Sequence, residues 1–333
     1  MTLEKYRKFA HESAQWLADR QNLDGSIDPA EDGLIDVFYK IPTALALNGF
    51  TEKAERLLEF VLNRNMALDG DFPEPRGFGW YSTVHYPYQN GYLIMAAQRL
   101  GRFDISYPAA KFLITQQDSK HFGVYSSRVS LGERGESDTV STSISGLSWV
   151  FTGNLEPARK AATWLEWMLD NQPDLSKGFY CTLNEQGELI TSYPEDEAQR
   201  RFIGTQEPDQ IWYFAGLAIA FLAELYLATG TSHYLELSER YNGFLESCTE
   251  AHHGPSSGKQ GWGAALLYRI TKKERYLKIA LDVADYVVGR RPDGQTNWGS
   301  TDGNITPGDC DLTGEYSMWL IKIVQALYAA GVS

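Results

Sequence analysis

The sequence predicts an all-α fold, an (α/α)6 barrel (toroid) of about twelve helices with a small β-hairpin in a long loop. Three observations predict it. Two kinds of connection alternate along the chain, two kinds of helix alternate with them, and the unit recurs roughly every 50–60 residues, as stacked helix pairs do.

The short connections are NGFT after Leu47, GRF after Leu100, TGN after Phe151, TGT after Ala228 and TKK after Ile270. Glycine in such turns supplies the positive φ that ends a helix. The long connections cover 22–34, 67–82, 118–138, 173–206, 248–258 and 289–309. Strict alternation of long and short between antiparallel helices puts every long loop at one end of the molecule.

The helices before long loops are amphipathic, as in EKAERLLEFVLNRN, ARKAATWLEWMLDNQ, SHYLELSERYNGFLES and KERYLKIALDVADYVV. Apolar residues recur there at i, i+3, i+4 and i+7. Those after long loops are apolar nearly all round: IPTALALNGF, GYLIMAAQRL, ISGLSWVF, IWYFAGLAIAFLAELYL and GAALLYRI. A helix apolar on every side must be covered on every side. Six such helices fit an inner ring, with six amphipathic ones outside. The first helix is then outer and the last, from about Asp311 to Ala330, inner. One barrel domain spans 1–333; an open solenoid of helix pairs is the alternative. In the longest connection, GFYCTLNEQGELITSY alternates about the turn Asn184-Glu185-Gln186-Gly187, which predicts the hairpin.

The outer-helix ends carry a further pattern. Ser13-x-x-Trp16-Leu17 leads to Gln21 and Gly25; Ala109-x-x-Phe112-Leu113 leads to Gln117 and Gly123-Val124-Tyr125. Ala161-x-x-Trp164-Leu165 has Gln172 displaced, followed by Gly178-Phe179-Tyr180; Asp69-Gly70-Asp71-Phe72 and Asn297-Trp298 echo the ending. This resembles the repeat of terpenoid cyclase and protein prenyltransferase toroids, in which Gln caps an outer helix and stacks on the aromatic after the glycine. More loosely, the chain is similar to linalool dehydratase-isomerase and to six-hairpin glycosidases and sugar epimerases. The resemblance implies architecture, and architecture leaves function open.

Composition narrows the classes. The formal charge of −13 disfavours nucleic acid. The 3 cysteines, Cys181, Cys248 and Cys310, are too sparse for a disulfide framework and suit a reducing compartment. The N-terminal stretch has no apolar core of a secretory signal, and the longest apolar run, Ile211 to Ala223, is too short to span a bilayer. These features point to a cytoplasmic protein with a small-molecule substrate; the oligomeric state is not legible. No glycine-rich phosphate loop follows a strand, so no cofactor is expected. Asp309-Cys310-Asp311 and Cys248 with His252-His253 match no strong zinc spacing, so no metal is expected either.

If all long loops share one end, the first turns of the inner helices share one mouth. They bring Asp36, Tyr39 and Lys40; Tyr81, His85, Tyr86 and Tyr88; Asp138; Glu207, Asp209, Trp212 and Tyr213; Lys259 and Trp262; Asp309, Asp311 and Glu315. Acids at helix starts are also plain caps, and Asp36 with Lys40 at i, i+4 also reads as a helix ion pair. The expected catalytic set is Asp36, His85, Glu207, Tyr86 and Asp311. Asp36 or Glu207 would be the acid and His85 the base or shuttle. Tyr39, Lys40, Trp80, Tyr81, Tyr88, Cys181, Trp212, Tyr213, Trp262 and Trp298 would line the substrate. An aromatic mouth suits a cationic transition state. The expectation is therefore a cofactor-independent cyclase, isomerase or lyase of secondary metabolism acting on a small hydrophobic metabolite. The alternatives are a glycoside hydrolase or sugar epimerase of six-hairpin type and a non-catalytic toroidal binding protein.

Overall fold

The chain alternates outer and inner helices, and the alternation survives in full. The computed structural model describes residues 3–29, 38–73, 84–208, 210–254, 256–300 and 303–333. Among these, the helices longer than a single turn are α1 (Glu4–Asp19), α2 (Ile41–Leu47), α3 (Thr51–Asn65), α4 (Pro87–Arg99), α5 (Phe103–Thr115), α6 (Thr139–Phe151), α7 (Leu155–Asp170), α8 (Tyr213–Thr229), α9 (Ser232–Glu246), α10 (Gly258–Thr271), α11 (Glu274–Gly289) and α12 (Pro307–Ala329). Even-numbered helices are inner and odd-numbered ones outer. In α8 the run Phe214–Ala223 is buried without a break, and in α4 so is Pro87–Ala97. In α11 only one stripe is buried: Tyr276, Ile279, Ala280, Val283, Ala284, Val287 and Val288. This is the contrast the apolar patterns predict.

The ring is closed. Each inner helix packs on the next, from α2 through α4, α6, α8 and α10 to α12, and α12 packs back on α2. Inner and outer helices joined by a short turn form the hairpins, and α1 completes the sixth pair by lying on α12. Chain ends thus meet across the seam, which excludes an open solenoid. Close approach within the ring depends on small residues: a Cβ at Gly146 of α6 would lie 2.4 Å from the Phe221 ring of α8. The TKK turn lacks glycine, and Lys272 itself takes the left-handed conformation with φ 58°.

The predicted hairpin forms in part. Its turn closes through Gly187 N–H to the Asn184 carbonyl at 3.0 Å, and Leu183 bridges Leu189. Its strands also pair with other loops. β2 (Gly178–Tyr180) is antiparallel to β4 (Phe202–Gly204), and β3 (Thr182–Leu183) to β1 (Ser137–Asp138). These small sheets tie the long loops together where the inner helices begin. No helix of the described residues is long and apolar enough to cross a membrane.

Candidate active site

The first turns of the inner helices converge on a cavity of about 140 Å³. Tyr39 and Lys40 precede α2, His85 and Tyr88 lie at the start of α4, Val140 starts α6, Tyr213 starts α8, Ser256 and Lys259 flank the start of α10, and Asp311 and Glu315 come from α12. Because α12 begins with the capped turn at Thr306, its residues 311 and 315 stand one turn apart on one face and enter the cavity together.

One wall is a buried charge network. Lys40 Nζ lies 3.1 Å from Asp311 Oδ2 and 2.5 Å from Glu315 Oε2. Lys259 Nζ lies 2.5 Å from Glu315 Oε1, which also accepts from Trp319 Nε1 at 3.1 Å. Burial would push the Glu315 carboxyl up, but Lys259 and Lys40 outweigh it and hold it well below the usual carboxylate range. Asp311 goes the other way. Burial lifts it to about 6, Lys40 opposes the rise, and the neighbouring Glu315 charge adds to it. Burial would depress the Lys40 ammonium, yet Asp311 and Glu315 raise it well above its ordinary value. Lys259 is lowered, by burial first, with Glu315 opposing and the Lys40 charge adding to the drop.

A second group is a histidine–aspartate pair. His85 Nδ1 lies 3.1 Å from Asp138 Oδ2, and both residues are only 1% exposed. Asp138 also caps α6, accepting from Ser141 N–H at 2.8 Å and from Ser141 Oγ at 2.7 Å. The His85 ring meets Phe214 edge to face at 5.0 Å.

Of the residues singled out in the sequence, the cavity gathers Tyr39, Lys40, His85, Tyr88, Tyr213 and Asp311. Asp36, Trp80, Tyr81 and Asp209 lie outside the described residues. Glu207 is exposed and Tyr86 donates to Asp71 at 2.6 Å, away from the cavity. Cys181 is buried, its thiol pushed well up by burial and then by Asp138. Trp262 packs on Trp319 under the Lys322 ammonium, Trp298 donates to the Val287 carbonyl at 2.9 Å, and Trp212 lines a neighbouring cavity. Asp309 caps α12, Cys310 faces the Asp28 carbonyl and Asp311 faces Lys40, so that tripeptide points three ways. Lys259, Glu315 and Asp138 stand at the mouth but outside the catalytic and lining sets that the sequence predicts. The signal that finds the first two is a charge inside an otherwise apolar helix, since a buried charge needs a partner.

No family model matches the chain, and no curated protein resembles it in sequence. Solved structures do. A GH76 α-mannanase from Bacteroides thetaiotaomicron aligns at 15% identity over 97% of each chain, with a TM-score of 0.63. A D-mannose isomerase aligns at 14% identity over 96% of each, TM-score 0.62. A sugar epimerase from a ruminal bacterium aligns at 12% identity over 96% of this chain and 98% of its own, TM-score 0.64. At such identities the likeness establishes the fold alone, an (α/α) toroid.

This corrects the reading of function. The enzymes named among the toroids that match the chain end to end include a mannanase, a mannose isomerase and a sugar epimerase, and these matches overturn the expected cyclase or lyase of secondary metabolism acting on a hydrophobic metabolite. The specific resemblance to terpenoid cyclases and prenyltransferases goes with it. The cavity gives the physical reason. Its aromatic wall is legible in the sequence, but two lysines, two carboxylates and a histidine share the space, and an apolar substrate would add no hydrogen bond or charge to groups that are costly to bury.

Proposed function

We propose that the protein is a sugar-directed acid–base enzyme of the isomerase or epimerase type, acting on the carbonyl end of an aldose. The observation that carries the proposal is the pairing, around one small cavity, of His85 braced by Asp138 with Asp311, a carboxyl that keeps its proton to about pH 6. In this reading His85 Nε2 removes the proton from the carbon beside the carbonyl of the open-chain sugar. The C–H electrons form the carbon–carbon double bond of an enediol, and the carbonyl oxygen takes a proton from Asp311. Transfer of the His85 proton to the former carbonyl carbon, with the neighbouring hydroxyl giving its proton to Asp311, completes an isomerisation; protonation of the same carbon by water on its opposite face, with the carbonyl oxygen's proton returned to Asp311 and the His85 proton passed to the hydroxide formed, completes an epimerisation. Lys40 and Lys259 stabilise negative charge as it develops on oxygen. Tyr39, Tyr88 and Tyr213 supply faces and hydroxyls for the sugar.

Glycoside hydrolysis on the same scaffold asks for two carboxyls flanking the scissile bond. Here Asp311 and Glu315 come from one helix, and Glu315 is engaged by both lysines and Trp319. That favours proton transfer at carbon over hydrolysis.

The test is incubation with a panel of aldoses and their reducing disaccharides in D2O, followed by NMR. Deuterium entering the carbon beside the carbonyl, and not entering with His85→Ala, is the expected result. Glycoside cleavage without exchange would replace this reading by a hydrolase, and inertness towards every sugar offered would sink it.

A further inference from the structure

A second cavity, of about 130 Å³, adjoins the first and shares Tyr213 and Ser256 with it. The residues that line it carry an unusual set of polar atoms. Trp212 Nε1, Ser257 Oγ and both Gln260 side-chain atoms, Oε1 and Nε2, are buried with no hydrogen-bonding partner among the described residues. Trp212 is 3% exposed, and Ser257 and Gln260 are each 2% exposed. Buried polar groups in folded proteins are almost always paired, because an orphan keeps its full desolvation cost. Four such atoms, carried by three residues that line one small cavity, mark a place shaped for something polar, which a small side-chain rotation would present to a ligand.

The chemistry of the set is specific. Gln260 offers a donor and an acceptor, Ser257 one of each, and Trp212 a donor beside a flat apolar ring. Adjacent hydroxyls on a carbon ring match this combination of hydrogen bonds and an apolar face. The set is also held in place. Gly216 of α8 packs so closely that a Cβ there would lie 2.9 Å from Gln260 N and 3.0 Å from its Cγ, and the Trp212 ring lies against Gly254.

We infer that Trp212, Ser257 and Gln260 form a second sugar subsite, so that the substrate is a disaccharide-sized saccharide whose reducing-end ring occupies the His85 cavity. This rests on the sugar-directed reading above and names the substrate's size. Neither cavity alone reaches the ~300 Å³ common for small-molecule pockets, and the two side by side approach it.

The test is calorimetric binding of D-mannose, α-1,6-mannobiose, D-glucose and maltose to the wild-type protein, Gln260→Leu and Ser257→Ala. Leu is close to Gln in volume and removes two orphaned atoms, so the variant is expected to fold at least as stably as the wild type. The wild type is expected to bind a disaccharide about tenfold or more tighter than its monosaccharide, the worth of one or two added hydrogen bonds. Gln260→Leu should erase most of that advantage while monosaccharide affinity stays within about twofold, and Ser257→Ala should erase part of it. Equal binding of mono- and disaccharides, or an advantage unchanged in both variants, would mean that the cavity holds ordered water only. That outcome overturns the subsite and leaves the sugar reading standing. If no saccharide binds at all, both fall.

Discussion

The Lys40 ammonium lies 2.5 Å from the Glu315 carboxylate, across the seam where the last inner helix meets the first. The contact that closes the ring is therefore also a wall of the candidate active site. Glu315 compensates two buried cations at once, Lys40 and Lys259. Removing one partner of a buried pair leaves an uncompensated charge, so Glu315→Gln is expected to cost about 3–5 kcal/mol. Lys40→Met combined with Glu315→Gln should cost less than the two single losses added, by roughly 0.5–3 kcal/mol. Urea unfolding of the four proteins checks this, and strictly additive losses would show that the seam is held by other contacts.

Asp138 serves both ends of its carboxylate. It caps α6 and faces His85. Asparagine retains the cap, so Asp138→Asn should change stability by no more than about 1 kcal/mol. The same change removes the charge that holds the imidazole in orientation, so carbon–proton exchange should slow while sugar binding persists. His85→Ala is expected to lower the exchange rate ~10²–10⁴-fold, and Asp138→Asn to reproduce most of that loss in kcat with little change in KM. A loss shared equally by stability and rate in Asp138→Asn would reduce the residue to a helix cap.

Much of this was legible in the sequence, for physical reasons that differ by feature. Helix periodicity and loop length depend on neighbours in the chain, so the twelve helices and their inner or outer place could be read directly. The Gln repeat was legible too, and its work is now specific: Gln117 donates to the Phe122 carbonyl and to Pro157 in the first turn of the next outer helix, both at 3.0 Å, and Gln21 does the same with Gly25 and Lys53. The resemblance built on that repeat carried architecture and not chemistry. Partnerships between distant residues were harder. Lys40 and Glu315 are 275 positions apart, and nothing local tells that one neutralises the other. Asp138 looked like a cap because it is one; its second role depends on α4 lying beside α6.

Asp311 makes the pH dependence of stability testable. Burial raises its carboxyl from an ordinary 3.8 to about 6. Between these values the unfolded chain has lost the proton and the folded one keeps it, so stability falls as pH rises through this window and levels off above it. Two units correspond to at most roughly 3 kcal/mol. Glu315, held low, acts in the opposite sense at more acid pH: its contribution is complete above its ordinary 4.5 and is lost as pH falls through its depressed folded value. Urea midpoints measured from pH 4 to 7.5 should decline in the wild type and flatten in Asp311→Asn. The same proton bears on rate. If Asp311 is the acid, kcat/KM should fall above about pH 6, and Asp311→Asn should lower the rate and remove that limb. A decline that persists in Asp311→Asn would assign it to another group.

Two glycines separate packing from helix propensity. Gly146 lies inside α6, where a Cβ would sit 2.4 Å from the end of the Phe221 ring, and Phe221 is fully buried and has nowhere to go. Gly146→Ala gains the propensity of alanine, about 1 kcal/mol, but forces two inner helices apart. Overpacking of this kind costs about 1–3 kcal/mol, so the net effect should be destabilising. Gly243 lies in the outer helix α9, exposed, and a methyl group there would meet nothing within 4 Å. Only propensity acts at that position, and Gly243→Ala should stabilise by about 0.5–1 kcal/mol. Thermal or urea unfolding of both variants reads the difference in sign. If Gly146→Ala also stabilises, the inner ring is looser than this packing requires, and the close α6–α8 contact is not what sets the width of the barrel.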